Sequence, residues 1–158
     1  MDRGDMVSDL QQAIDLTNSF VSIARQLKKI SLQTATKLGL TFQQLIILNS
    51  IRNNEGLTQK ELTERLRTAK SRVSLSIDEL EKKHYVKRET SANDRRETQL
   101  FLTLDGERLC QRYREESEAY KSLANSLEQF SQDELNILID MQKKILTDLS
   151  NEQTNCSK

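Results

Sequence analysis

The sequence contains no proline and only four glycines in its 158 residues. Proline breaks helices and glycine weakens them, so long uninterrupted helices are permitted over most of the chain. Apolar residues make up 35% of the composition, which predicts a lean core. The length is that of one ordinary domain. We therefore expect one helical unit, or a unit that a partner completes.

Cysteine and histidine are scarce. Cys110 falls in a helical pattern and Cys156 in a polar tail, and His84 is the single histidine. This is neither a disulfide framework nor a set of metal ligands. We expect Cys110 to be packed rather than reactive. Because the sequence also lacks a glycine-rich phosphate loop and a nucleophile with a histidine partner, no metal, no cofactor and no enzymatic activity are expected.

The sequence has no apolar run near the roughly 18 residues that a membrane helix needs. Its first residues, Met1 to Asp5, do not form a basic stretch followed by an apolar one, as a secretory signal does. The sequence therefore predicts a cytoplasmic protein without a membrane partner.

The formal net charge is zero, from 24 basic and 24 acidic residues, which by itself argues weakly against nucleic-acid binding. The distribution is uneven, however. Residues 57–96 hold eleven Lys and Arg against seven Asp and Glu, a net of +4, whereas residues 97–158 hold seven against twelve, a net of −5. Positive charge concentrated in one block is typical of a DNA-binding surface on an otherwise neutral protein.

The spacing of apolar residues and of capping residues divides the chain into elements. Helices are predicted at residues 9–37, 42–53, 59–66 and about 70–83, again from 105 onward, and after Ser131. Thr41 and Ser131 are predicted N-caps, Thr58 with Glu61 matches the capping box, and residues 68–71 are a further cap-like start. Gly39 is the predicted end of the first helix.

Two short helices separated by a tight polar turn, 59–66 and 70–83, form a helix-turn-helix candidate. Residues 85–90 and 98–103 are β-compatible and flank the polar segment 91–96, which predicts a β-hairpin with a basic tip. The predicted fold class is therefore mainly α with a small β-hairpin wing, a winged helix-turn-helix.

Such a fold matches the shape of DNA, because the major groove admits one helix and a hairpin tip reaches the backbone or the minor groove. With Val73 at the centre of the buried face, a helical wheel places Ser71, Leu75, Asp78 and Lys82 on the opposite side. The first turns then present five candidates for DNA contact, namely Lys70, Ser71, Arg72, Ser74 and Leu75. A solvated amphipathic helix and a hairpin kept charged to prevent edge pairing remain open alternatives.

Residues 66–104 resemble the signature stretch of the MarR (multiple antibiotic resistance regulator) family of winged-helix regulators. The resemblance rests on Lys70-Ser71-Arg72-Val73-Ser74, Asp78-Glu79-Leu80-Glu81-Lys82-Lys83, Tyr85-Val86-Lys87-Arg88, Asp94-Arg95-Arg96 and Leu102-Thr103-Leu104-Asp105-Gly106. These pieces occur in the expected order and spacing.

The resemblance implies a homodimer that controls transcription, with double-stranded DNA as its partner and a small-molecule effector of unknown identity. It implies that residues 1–40 and 104–150 form a helical dimerisation region and 41–103 the DNA-binding lobe, while 151–158 are expected to be a disordered tail. The implied DNA-binding residues are Thr58, Gln59, Thr68, Lys70, Ser71, Arg72, Ser74, Leu75, Lys87, Asp94, Arg95 and Arg96. The implied dimerisation residues are Leu10, Ile14, Leu135, Leu138, Ile145 and Leu149.

Two positions depart from the resemblance. Most members have glycine where Arg67 and His84 stand, so a left-handed backbone at either residue would be strained. These departures and the zero net charge leave a second hypothesis open. The chain could be a helical protein-interaction module on a winged scaffold that no longer binds DNA.

Overall fold

The structure, a computed structural model, describes the backbone of residues 3–90 and 97–155 and the side chains of 9–90 and 97–152. In chain order its elements are α1 (Arg3–Lys37), α2 (Phe42–Asn53), β1 (Leu57–Thr58), α3 (Gln59–Leu66), α4 (Lys70–Lys82), β2 (Val86–Thr90), β3 (Thr98–Leu102), α5 (Leu104–Glu116), α6 (Glu118–Leu127) and α7 (Gln132–Asn155). The predicted fold class, mainly helical with a small hairpin sheet, is confirmed.

Three helices begin with the predicted cap. The reciprocal hydrogen bonds of a capping box join Thr41 to Gln44 at α2, Thr58 to Glu61 at α3, and Ser131 to Glu134 at α7. The cap-like start at residues 68–71 is wrong as a side-chain cap. There the N-cap residue is Ala69, which has no oxygen to offer and makes no capping hydrogen bond.

The sheet has the strand order β1-β3-β2, with both pairs antiparallel. The β2–β3 hairpin confirms the predicted wing strands, and Val86 pairs with Leu102 at its base. Strand β1 was not predicted, because two residues are too short for an alternating pattern. It places Leu57 opposite the buried Leu100 and so fixes the start of α3 against the sheet.

One core joins the helices and the sheet. Its buried apolar residues are Ala35, Leu40, Leu45, Ile47, Leu48, Ile51, Leu57, Leu62, Val73, Ile77, Leu80, Val86, Leu100, Leu109, Cys110 and Tyr113. The last three belong to α5, a helix that the resemblance groups with the dimerisation region. α5 therefore packs into the same core as the DNA-binding lobe.

The helical stretch predicted from residue 105 is interrupted. Ser117 has an extended backbone and is buried, which separates α5 from α6, and the Glu118 N–H donates to Thr34 Oγ1 over 3.4 Å. Apolar periodicity continues across this break and therefore cannot reveal it. The chain up to Ala119 forms one compact unit and the chain from Tyr120 forms a second.

The tail predicted from residue 151 is also corrected, because α7 continues to Asn155. Its last turns are polar but contain neither glycine nor proline, so nothing in the sequence stops the helix there. Residues 156–158, which include Cys156, lie outside the described residues.

Two helices expose unusual numbers of large apolar side chains. On α1 these are Leu10, Ile14, Leu16, Phe20, Val21, Ile23 and Leu32, and on α7 they are Ile137, Leu138, Ile139, Met141, Ile145, Leu146 and Leu149. Within the described part of the chain, none of the helices combines the length and the apolar character needed to cross a membrane.

Candidate nucleic-acid interface

The helix-turn-helix consists of α3, a three-residue turn at 67–69, and α4. Leu62 of α3 and Val73, Ile77 and Leu80 of α4 are fully buried, so one face of each helix is fixed in the core. The turn begins with Arg67 in the left-handed conformation, at φ 46° and ψ 41°, and its N–H donates to the Glu64 carbonyl over 3.3 Å. The opposite face of α4 is therefore held outward.

That outward face carries the predicted DNA-contacting residues of α4. Lys70, Ser71 and Arg72 are exposed in the first turn, and Leu75 is 60% exposed one turn further along. Ser74 is half-buried between the two faces. The helical-wheel prediction is thus confirmed for the exposure of Ser71 and Leu75, and an exposed leucine beside cations suits contact with base edges and thymine methyl groups.

A cleft of about 400 Å³ lies between the starts of α3 and α4 and strand β3. It brings together three predicted residues, Thr58, Gln59 and Lys70, with four residues outside the predicted set, namely Lys60, Thr63, Glu97 and Thr98. Lys60 directly follows Gln59, and Thr63 lies one helical turn after Gln59 on α3, a spacing that could have identified them. Thr58 is itself buried, and its hydroxyl caps α3 by accepting from the Glu61 N–H. Thr68, in the turn, is half-buried.

Strand β2 of the wing carries Lys87, one of the predicted DNA-binding residues. The Lys87 ammonium lies 2.6 Å from a Glu89 carboxylate oxygen and 5.6 Å from the centre of the Phe101 ring. Its part in DNA binding stays a prediction. Asp94, Arg95 and Arg96, the predicted wing tip, lie outside the described residues.

Salt bridges and hydrogen bonds fix α4 to the neighbouring elements. The Arg88 guanidinium on β2 lies 2.6 Å from Asp78 Oδ1 and also pairs with Glu81. Asp78 is therefore half-buried and engaged, although the helical wheel placed it on the outward side. At the end of α4, the Gln44 amide donates to Glu79 over 2.7 Å, and the Lys83 ammonium donates to the Gly39 carbonyl over 2.9 Å.

The connection that follows α4 is also left-handed, because His84 has φ 60°. The backbone N–H of Thr103 donates to the Tyr85 carbonyl over 3.1 Å, and the Thr103 hydroxyl donates to the His84 carbonyl. A Cβ at Gly106 would lie 2.0 Å from the same Tyr85 oxygen. Glycine at 106 thus allows α5 to approach the connection that follows α4, which accounts physically for the glycine of the motif.

Two pKa shifts describe the chemistry around the lobe. Hydrogen bonds from Thr58 hold the pKa of the Glu61 carboxyl below its ordinary value, which keeps the cap of α3 ionised. Burial raises the pKa of the Cys110 thiol despite the nearby Arg52 charge, so a reactive thiolate is disfavoured.

Over the residues described, no cluster of three or more His, Cys, Asp or Glu could hold a metal ion.

Comparisons with known proteins agree with this geometry. The family profile described as MarR family matches residues 38–97. The HTH-type transcriptional repressor MdtR of Bacillus subtilis is 31% identical over 102 residues, which are 65% of this chain and 66% of that relative, just under two thirds of its length.

Solved structures extend the likeness over most of the chain. A SlyA-like transcription regulator from Listeria monocytogenes is 30% identical with a TM-score of 0.71, covering 85% of this chain and 89% of that one. A MarR family transcriptional regulator from the same species, crystallised with a 26-mer DNA, is 29% identical with a TM-score of 0.75, covering 86% and 89%.

The winged fold, the outward basic start of α4 and these relatives point to one class of protein, whose members regulate transcription and are not enzymes. The chain belongs to the MarR family of transcriptional regulators.

Proposed function

We propose that the chain is a sequence-specific repressor that binds double-stranded DNA as a homodimer on a pseudo-palindromic operator and is released by a small-molecule effector. It would act in the cytoplasm, and it needs no cofactor or metal. The similarity to a relative named as a transcriptional repressor supports the direction of control.

The observation that carries the proposal is the outward face of α4. Its first turn exposes Lys70, Ser71 and Arg72 while Val73 is fully buried behind them. A recognition helix contacts base edges through its N-terminal residues, and Lys and Arg pair with guanine or with phosphates. The DNA complex of the similar Listeria regulator supports the same use of the fold here.

The apolar faces of α1 and α7 support the homodimer. Predicted dimerisation residues are exposed on both helices, with Leu10 at 64%, Leu138 at 44% and Leu149 at 57%, while Leu135 is half-buried. Faces of this apolar character are typical of surfaces that a partner covers. A second copy of the chain meets that need, and two-fold symmetry would match a palindromic operator.

A cleft within the first compact unit supports release by an effector. Its volume is about 550 Å³, within the range of small-molecule sites. It is lined from one side by the end of α1 and the start of α2, including Thr36, Leu40 and Gln44, and from the other by Glu79, Lys82 and Lys83 of the recognition helix and its end. A ligand here would contact both the end of a dimerisation helix and the helix that is proposed to read DNA.

Footprinting on genomic DNA fragments tests the proposal. We expect a symmetric protected site with half-sites about one helical turn, roughly 34 Å, apart. Arg96→Ala is expected to weaken binding strongly and to leave the dimer intact. Weak binding that does not depend on sequence would contradict sequence-specific repression.

The protein-interaction module remains the competing function, and the salt dependence of binding separates the two. A DNA-binding dimer loses affinity steeply as salt rises, because cations displaced from the phosphates return to them. A module that has lost DNA binding would show no such slope with any fragment.

A further inference from the structure

Two observations single out Arg67, which is neither in the quoted motif nor among the predicted DNA-binding residues. It occupies the first position of the α3–α4 turn in the left-handed conformation, which glycine adopts without steric cost and arginine does not. It also lies in the most basic part of the helix-turn-helix. A strained residue at a functional surface is a reason to look for a role of its side chain.

The basic segment is residues 65–72. It contains Arg65, Arg67, Lys70 and Arg72 and no acidic residue, and all four cations are exposed. Because the fully buried Val73 follows directly, the segment cannot turn inward without opening the core. Its positive charge is therefore fixed at the end of α4 that would enter DNA.

Distance along the chain keeps Arg67 within reach of the edge of the groove. Arg67 lies three positions before Lys70, so their Cα atoms are at most about 11 Å apart. The major groove is about 12 Å wide and bordered by phosphates. If the first turn of α4 lies in the groove, as the proposed function requires, the long side chain of a residue within this distance on the exposed turn can reach the phosphates that border the groove.

We propose that Arg67 is a phosphate ligand that anchors the helix-turn-helix on DNA. Arginine at this position thus supplies a contact that the usual glycine could not make. This inference rests on the proposed DNA-binding function. Arginine suits the role because its planar guanidinium makes two parallel hydrogen bonds to a phosphate. The ligand is the DNA backbone, so the contact strengthens binding to every sequence equally.

The test measures the affinity of the full chain for its footprinted operator and for a scrambled duplex, by fluorescence anisotropy over a range of salt concentrations. Arg67→Asn removes the guanidinium, and asparagine tolerates the left-handed backbone. Each lost phosphate contact lowers the slope of log K against log salt by about 0.9, so a dimer should lose about 2 in slope and about tenfold or more in affinity on both duplexes.

Two controls make the result specific. Arg67→Lys keeps the charge and is expected to keep most of the slope. Arg108→Asn removes the same charge from α5, where Arg108 is exposed and pairs with Asp105, and is expected to leave the slope unchanged.

A stability measurement supplies a second, opposite signature. Arg67→Gly relieves the left-handed strain, so its melting temperature should rise by about 3 °C while its affinity falls at least as far as in Arg67→Asn. An unchanged slope in Arg67→Asn, with wild-type protein still binding its operator, would overturn the phosphate contact alone. If the wild-type protein itself shows no salt-dependent DNA binding, both this contact and the proposed function are refuted.

Discussion

Gly106 and Gly39 show how different two glycines can be at the scale of single residues. Gly39 follows α1 with φ +70°, and apart from its chain neighbours no atom of the described residues lies within 4 Å of the position that a Cβ would occupy. Gly106 lies inside α5, where glycine costs helical stability, yet a Cβ there would meet the Tyr85 carbonyl oxygen. Glycine is needed at 39 for the left-handed backbone conformation and at 106 for the close approach of α5 to Tyr85.

Alanine substitutions should separate these two roles. Gly39→Ala introduces only left-handed strain and is expected to lower the free energy of unfolding by about 1 kcal/mol. Gly106→Ala forces α5 away from Tyr85 and is expected to lower it by about 3 kcal/mol, a typical upper cost for overpacking. Urea unfolding monitored by circular dichroism measures both. Equal losses in the two variants would show that α5 does not approach Tyr85 as closely as the structure has it.

Some residue roles could be predicted from the sequence and others could not. The capping residues Thr41, Thr58 and Ser131 have short-range signals, because each partner lies three residues away. The strain at Arg67 and His84 was expected from their departure from glycine, and the left-handed angles confirm it. The pairing of Arg88 with Asp78 and Glu81 could not be predicted, since contacts between different elements depend on how those elements pack.

At the scale of elements, the start of α3 depends on one exposed carboxylate. Glu61 accepts a hydrogen bond from the Thr58 N–H over 2.8 Å, and the Thr58 hydroxyl accepts from the Glu61 N–H over 3.2 Å. The ionised carboxylate also lies near the positive end of the helix dipole. Both effects favour the charged form of Glu61 in the folded state.

The pH dependence of stability follows from this preference. A carboxyl whose pKa is lowered by folding stabilises the protein when ionised, so its contribution is complete above the ordinary value near pH 4.5 and is lost as the pH falls below it. Glu61→Gln keeps a hydrogen-bond acceptor in the capping box and should show a shallower loss of stability between about pH 5 and pH 3.

Urea unfolding at a series of pH values measures this difference. Glu64→Gln, one turn further along α3, leaves the cap intact and is expected to keep the wild-type profile. Thr58→Ala removes the cap and should cost about 1 kcal/mol at neutral pH. A Glu61→Gln profile as steep as that of the wild type would mean that the cap does not depend on the charge.

Elements were predictable where their own sequence carries a signal. The bounds of α2 and α3 match the prediction because a capping box opens each of them and a turn follows. Strand β1 was missed because its two residues are defined only by their pairing with β3. The break at Ser117 was missed because apolar spacing is continuous from α5 into α6.

At the scale of the whole molecule, α7 has the most to gain from a partner. Its described side chains from Gln132 to Glu152 are exposed, apart from the half-buried Leu135. A helix with this much apolar surface is not stabilised by its own unit alone. The proposed homodimer would bury that surface, which ties the stability of α7 to protein concentration.

Two matched substitutions, one on α7 and one on α4, test which exposed apolar side chain faces the second copy of the chain and which faces DNA. Ile145→Glu on α7 should weaken the dimer at least about 100-fold, because it places a charge in an apolar interface. Leu75→Glu on α4 removes a similarly apolar and even more exposed side chain, and should leave the dimer intact while abolishing operator binding. Sedimentation velocity and anisotropy measure the two properties. A dimeric Ile145→Glu protein at low micromolar concentration would contradict the assignment of α7 to the interface.

α4, the proposed recognition helix, lies between two joints that both lack glycine, Arg67 before it and His84 after it. A side chain at each joint narrows the range of backbone angles that the joint can sample, so α4 has few alternative orientations to lose when it binds. The strain at the two joints lowers the stability of the folded state. The restricted backbone in turn lowers the entropic penalty of association. A recognition helix held in this way should bind DNA with a small loss of conformational entropy, and the same stiffness limits how far it can adjust to an imperfect operator.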